Sequence, residues 1–157
     1  MAWSASKIFM ALIEDVLENT TAMDLNADTF KAALYDNDIT PDQTVSSANS
    51  AYNAGQWTAA GNEVSDGTEW DAGGEPLTGV ASTRASNVYT FDATDTPSGG
   101  SSATLAAVFG CLVYDDTIAA PVADQGVSYH YFGGSNSVTD GTFTIVWNAS
   151  GIFTLTL

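Results

Sequence analysis

The feature that most limits what this chain can fold into is the two-residue alternation near its C-terminal end. In Thr142–Asn148, Phe143, Ile145 and Trp147 fall on one side of an extended chain, with Thr144 and Val146 on the other. Ile152–Leu157 repeats the pattern, setting Phe153, Leu155 and Leu157 against Thr154 and Thr156. Successive side chains of a strand point to opposite faces, so both segments read as strands with one buried face. Ala149-Ser150-Gly151 joins them, and a short connection with Gly in third place predicts a hairpin.

The same reading extends upstream. Leu105–Tyr114 is a continuous apolar run, Val127–Phe132 alternates, and Asn87–Asp92 sets Val88 and Thr90 against Tyr89 and Phe91. Thr29–Tyr35 carries Phe30, Ala32 and Leu34 at period two before Asp36-Asn37-Asp38 and Pro41-Asp42 break it. A further strand is predicted near Leu77–Ser82, after the turn-rich Asp71-Ala72-Gly73-Gly74-Glu75-Pro76. Val45–Gly55 is rich in Ser, Ala, Asn and Gly, but Tyr52 lies within it and Trp57 just beyond. It therefore reads as an ordered excursion with room for a short helix. About seven short strands separated by Gly, Asp and Ser turns predict a mainly-β fold. The expected architecture is an antiparallel β-sandwich or a jelly-roll-like barrel. No internal repeat of fixed period is present.

The N-terminal segment has a different texture. Ile8, Leu12 and Val16 form one stripe at helical spacing, flanked by Phe9, Ile13 and Leu17, while Lys7, Glu14 and Glu18 fall toward the other side. Ser4 or Ser6 is placed to cap such a helix. The organisation expected is an N-terminal amphipathic helix over residues 1–22 and a single β-sandwich domain over residues 23–157. The apolar stripe has two possible uses, covering the domain's own sheet or docking on a neighbouring subunit. Ile8, Leu12 and Val16 are accordingly the candidate partner-binding residues.

Charge excludes several function classes. Nineteen acids face three bases, Lys7, Lys31 and Arg84, for a formal net charge of -16. Nucleic-acid binding rests on Lys and Arg neutralising phosphates, so neither nucleic acid nor an anionic membrane surface is an expected partner. The acids are dispersed among apolar and aromatic residues, which marks a folded chain and not an acidic tail. At 157 residues the chain is long enough to bury a core without disulfides or metal. Its one cysteine, Cys111, lies in the apolar run and reads as a buried, inert thiol or the mark of a reducing compartment. The apolar stretch Ile8–Leu17 contains Glu14 and Asp15 and is too short to span a bilayer. It also lacks the features of a secretory signal, so none is expected.

Few residues suggest chemistry. The one histidine, His130, lies between Tyr129 and Tyr131 with no nucleophile or orienting acid beside it in sequence, and reads as a strand residue with a satisfied ring. Zinc is excluded for want of Cys and His ligands. The pairs Asp36/Asp38, Asp92/Asp95, Asp115/Asp116 and Glu69/Asp71 lie in turn contexts, where Asp bonds the local backbone, and do not form a glycosidase pair. Asp36-Asn37-Asp38 with Asp42 offers hard oxygens for calcium but lacks the mid-loop Gly and closing Glu of a calcium loop. Gly73-Gly74, Gly99-Gly100 and Gly133-Gly134 match no phosphate cradle and read as hairpin or loop glycines. Trp57 and Trp70 lie in loop-rich stretches and are the candidate ligand-binding residues, by stacking on sugar; the competing reading is that they plug the end of a sandwich. No catalytic residue, metal ligand or cofactor is expected.

Several segments taken in order carry a resemblance. They are Asp24-Leu25-Asn26-Ala27-Asp28-Thr29-Phe30-Lys31-Ala32-Ala33-Leu34-Tyr35-Asp36, Ile39-Thr40-Pro41, Ala51-Tyr52-Asn53, Asn62-Glu63-Val64 and Ala72-Gly73-Gly74-Glu75-Pro76-Leu77. Val113-Tyr114-Asp115-Asp116, Tyr131-Phe132-Gly133-Gly134 and Gly141-Thr142-Phe143-Thr144-Ile145-Val146-Trp147-Asn148, ending in Gly151-Ile152, extend it. In this order the chain resembles a family of small mainly-β virion structural proteins of tailed bacteriophages and prophages, of the capsid-decoration or minor-tail type. The resemblance implies a structural role and no catalytic residues. It implies a protein made in the host cytoplasm without a signal peptide and carried in the virion, as a capsid decoration or head-fibre-like subunit. The alternative is a minor tail or tail-tip subunit with a host-surface role. The partners expected are other virion proteins, the major capsid protein or tail proteins, and further copies of the chain in a homo-oligomer.

Overall fold

A computed structural model describes residues 3–157. The first two residues of the expected 1–22 segment lie outside them. The fold is mainly β, with antiparallel sheets, a short N-terminal helix and no closed barrel. Strands β1 (Lys7–Ile8), β2 (Phe30–Tyr35), β3 (Glu75–Pro76), β7 (Ala103–Asp115) and β8 (Gly126–Gly141) form a five-stranded sheet in the order β1-β8-β7-β2-β3. Strands β4 (Ala81–Ala85), β5 (Val88–Asp92) and β10 (Phe153–Thr156) form a second sheet in the order β10-β5-β4. Strands β6 (Thr96–Pro97) and β9 (Thr144–Ile145) make a small third sheet. Helix α1 spans Met10–Glu18, and a single turn, α2, spans Ser47–Ser50 within the predicted excursion.

Register explains why β2 is buried on both faces, a stronger burial than its period-two pattern suggested. Phe30, Ala32, Ala33, Leu34 and Tyr35 are all buried. Pairing sets Leu34 opposite Cys111 and Cys111 opposite His130, so these share one face. Phe30 on that face meets Phe91 of the second sheet, ring centroids 5.1 Å apart and edge-on, which gives the sandwich-like layering. The other face carries Ala33, Leu112 and Tyr129, and Tyr35 beyond them. Trp57 covers it, 5.2 Å from the Tyr35 ring and 6.0 Å from the Phe9 ring. The excursion is therefore a lid of aromatic side chains over the outer face of the large sheet. Tyr114 ties that lid down by donating to the Gly73 carbonyl at 2.7 Å, with its ring stacked on Tyr52 at 4.9 Å.

Two glycines are dictated by close approach. A side chain at Gly74, which has φ 84°, would collide with the β2 backbone at Ala32, so only glycine lets β3 pair there. A side chain at Gly110 would enter the Trp3 ring and the His130 carbonyl. Cys111 beside it is fully buried, and burial pushes its thiol pKa up, as an inert core residue requires.

The structure corrects several expectations. The last two strands do not form a hairpin: β9 pairs with β6, and β10 pairs with β5. The Trp147 amide donates to Asp95 Oδ1 at 3.0 Å and its indole N–H to Thr96 Oγ1 at 3.1 Å, while the Ile152 amide donates to the Phe91 carbonyl at 2.8 Å. These captures draw the two segments into different sheets. The alternation itself holds, since Ile145 and Trp147 are buried and Thr144 and Val146 exposed. Gly133-Gly134 is not a turn but lies inside β8, where the register slips between Gly110↔Tyr131 and Val108↔Asn136 and both glycines have positive φ. The N-terminal segment adds β1 to the edge of the large sheet and places Trp3, Phe9 and Leu12 in the same core as the rest of the chain.

Candidate functional site

Helix α1 begins at Met10, two residues after Ile8, and neither Ser4 nor Ser6 caps it; Phe9 is the N-cap residue, without a side-chain hydrogen bond. The predicted stripe is thereby divided. Ile8 lies on β1, opposite Ser128, and packs against the core. Extended pairing at the sheet edge supplied Ile8 with backbone partners that a helix would have supplied otherwise, so the helical spacing from Ile8 to Leu12 has no structural meaning. Leu12 is buried, and Val16 is 50 % exposed.

Asp15 fixes how the helix turns. Its Oδ2 accepts from Gln125 Nε2 at 2.9 Å and from the Ser47 hydroxyl, and its Oδ1 from Thr20 Oγ1 at 2.8 Å. Burial works to raise its pKa, but these donors outweigh it and hold the carboxyl below its ordinary value. With Asp15 tied inward, the last turn presents Val16 and Leu17 to solvent, Leu17 at 80 % exposure.

These side chains form one wall of an apolar groove of about 320 Å³. Leu12, Ile13, Val16 and Leu17 contribute the helix side and Leu25 the end, while Tyr89 of β5 with Phe153 and Leu155 of β10 form the floor. Leu155 pairs with Tyr89 across the strands, so both point to the same face. The opposite face of this sheet carries Thr83, Thr90, Thr154 and Thr156 with Ala81, Ala85 and Val88. The groove thus lies where the inner face of the second sheet runs out from under the core. Volumes of this size suit ligand or side-chain insertion.

Trp57 and Trp70 are fully buried, which corrects their placement as exposed loop aromatics. Trp57 is enclosed by Trp3, Phe9, Tyr35 and Tyr129, and Trp70 packs edge-on against Phe143 with centroids 5.7 Å apart. Neither has a face free to stack on a sugar. Large indole area drives them inward even though both indole N–H groups are left without a partner.

His130 does have a local hydroxyl, which sequence reading missed. Ser128 Oγ lies 2.9 Å from His130 Nε2, because residues two apart on a strand share a face. Burial pushes the imidazole down to about 4, so it is neutral at physiological pH. Ser128 is fully buried, and His130 is partly so. The pair borders an open pocket of about 300 Å³ that Lys7, Met10 and Gln43 also line.

Asp115 is the one fully buried acid among the described residues. Its Oδ1 accepts from the Thr117 amide at 2.8 Å and the Ile118 amide at 3.2 Å, whereas Oδ2 meets no donor among the described residues, and the Asp28 carboxylate interacts with the group. Burial first, and then Asp28, raise its pKa to about 7. Among the described residues no group of three or more His, Cys, Asp and Glu is arranged to hold a metal ion. The candidate calcium acids bond their own turns: Asp36 Oδ1 accepts from the Asp38 amide and Asp42 Oδ1 from the Thr44 amide. No known family model, curated protein or solved structure matches the chain.

Proposed function

We propose that this chain is a structural subunit of a tailed-phage particle, displayed on its exterior as a capsid decoration or head-fibre-like protein. The observation that carries the reading is the last turn of α1, where Val16 and Leu17 stand exposed beside an apolar groove on an otherwise acidic domain. Exposed large apolar side chains that converge on one concavity mark a surface that another molecule covers. The ordered segments resembling small phage virion proteins supply the class of particle. The acidic charge suits an exterior position, since it keeps particles apart and leaves packaged DNA untouched. The partners on this reading are the major capsid protein or a tail protein, with further copies of the chain.

Cryo-electron microscopy of the intact particle tests the proposal. Density for this fold repeated over the capsid surface supports the decoration role. Density confined to the tail replaces it with the minor-tail role, and absence from the particle overturns the structural-subunit reading.

A further inference from the structure

We infer that a furrow running along β8, apart from the α1 groove, binds an uncharged oligosaccharide. Binding there is independent of where on a particle the chain sits.

Three hollows lie in line. The first, about 390 Å³, holds Phe132 and Phe143 in its walls. The middle one, about 190 Å³, is walled by Trp147 and Asn148, and the last, about 300 Å³, by Lys7 and Gln43. The first and the middle share Phe132, Ile145 and Val146, and the middle and the last share Ser6, His130 and Ile152, whereas the first and the last have no lining residue in common. The furrow is therefore linear, which suits a chain of units better than one compact molecule. A cavity of about 150 Å³ holds a benzene-sized group, so each hollow has room for a six-membered ring.

The walls offer what a sugar needs. Phe132 and Phe143 are half-buried with ring centroids 6.4 Å apart, and Val146 beside them is 73 % exposed. The negative face of an aromatic ring attracts the polarised C–H groups of a pyranose. A bulge brings Phe132 there: between the pairs Gly110↔Tyr131 and Val108↔Asn136, β8 residues 132–135 stand opposite Phe109 alone. Bulges re-aim side chains next to functional sites. Further along, the walls are polar with little charge. Asn148 Oδ1 accepts from the Ser150 amide at 2.9 Å, which leaves its NH2 group for a ligand. The Ser6 hydroxyl accepts from the Tyr131 amide at 3.1 Å and keeps its own proton to donate. With the Gln43 amide and the Thr144 hydroxyl these groups both donate and accept, as sugar hydroxyls do. Among the described residues Lys7 is the one charged group that lines the three hollows.

The backbone disfavours a peptide. An extended peptide adds to a free strand edge, but β8 is already paired here with β1, Lys7 opposite Tyr129 and Ile8 opposite Ser128, and Ser6 holds the Tyr131 amide. Recognition is left to side chains. The stacking role expected of Trp57 and Trp70 falls instead on Phe132 and Phe143.

The test screens the full-length chain against neutral oligosaccharides of glucose, galactose and N-acetylglucosamine, from single rings upward, and titrates the binders by calorimetry. At least one series should bind, tightening several-fold with each ring up to the third and little beyond it. Phe132→Leu keeps apolar bulk without the aromatic face, and should weaken that series about tenfold or more. Asn148→Asp keeps the acceptor for Ser150 and removes the NH2 donor, and should weaken it several-fold. Lys7→Gln, and Leu17→Asn at the α1 groove, should leave the affinity within about twofold. Binding by none of the series, equal affinity for one ring and three, or full binding by both Phe132→Leu and Asn148→Asp would overturn the inference. So would a preference for uronic-acid oligosaccharides that Lys7→Gln abolishes, since the furrow would then be an anion site.

Discussion

Replacing Asp115 by Asn should stabilise the protein, and by an amount that depends on pH. The Asp115 carboxyl is fully buried at the end of β7, with one oxygen held by two amides and the Asp28 carboxylate beside the group. Its pKa, ordinarily 3.8, is raised to about 7. From about pH 4 to about 7 the native protein holds a proton that the unfolded chain has released, so stability falls as pH rises through that window. Above about pH 7 both states are ionised at this site and the loss is complete. Moving a carboxyl from 3.8 to about 7 corresponds to on the order of 4 kcal/mol at about 1.4 kcal/mol per pH unit. Relaxation around the charge reduces this, and about 2–4 kcal/mol is expected. Asn keeps an acceptor for the Thr117 and Ile118 amides, cannot ionise, and offers Asp28 a donor in place of a like charge. Urea unfolding of both proteins across pH should give nearly equal stabilities near about pH 4 and a widening advantage for Asp115→Asn up to about pH 8. A difference that does not change with pH, or a less stable variant at the alkaline end, would refute the reasoning.

Three further outcomes follow from the packing. Asp66→Ala should cost about 1–3 kcal/mol in chemical denaturation, because Oδ1 accepts from the amides of Thr68, Glu69 and Trp70 and Oδ2 from that of Thr104. Those bonds, that from Trp70 foremost, hold the Asp66 carboxyl well below its ordinary range, so the advantage of the parent is present above about pH 4 and shrinks on acidification. Trp57→Ala should cost about 3–5 kcal/mol by the same assay, since it empties the centre of the aromatic lid. Gly110→Ala should lower the melting temperature through a loss of about 1–3 kcal/mol, because the added methyl meets the Trp3 ring and the backbone of β8.

Local patterns were legible where one face of a strand is buried. Ile145 and Trp147 announced their face by spacing alone, and Phe91 and Phe153 did so in Asn87–Asp92 and Ile152–Leu157, although Leu157, expected on the buried face, lies beyond β10 and is fully exposed. The partner of each strand was not readable. The Ala149-Ser150-Gly151 connection has the form of a hairpin, and Gly151 does take a positive φ of 103°. What separates the strands is the capture of Trp147 by Asp95 and Thr96, residues about fifty positions away in sequence. Ile8 shows the converse: its spacing to Leu12 suits a helix, yet an edge of β8 was free to pair with it. Trp57 and Trp70 were ambiguous because a loop tryptophan is equally an exposed platform or a plug, and only the sheet face beneath it decides.

The candidate site divides the same way. The apolar character of Leu12, Val16 and Leu17 and the acids between them are properties of the chain, as are the mainly-β class, the net charge of -16 and the single thiol. That Leu12 turns inward while Val16 and Leu17 remain exposed is decided by Asp15 bonding to Ser47 and to Gln125, the latter 110 residues away. The groove needs Tyr89 and Leu155 brought beside that turn by sheet pairing. Periodicity is a local property, because each residue's direction follows from its neighbours' backbone angles. Pairing, register and the burial of a single acid such as Asp115 are set by which distant segments close together, and only the folded chain holds that information.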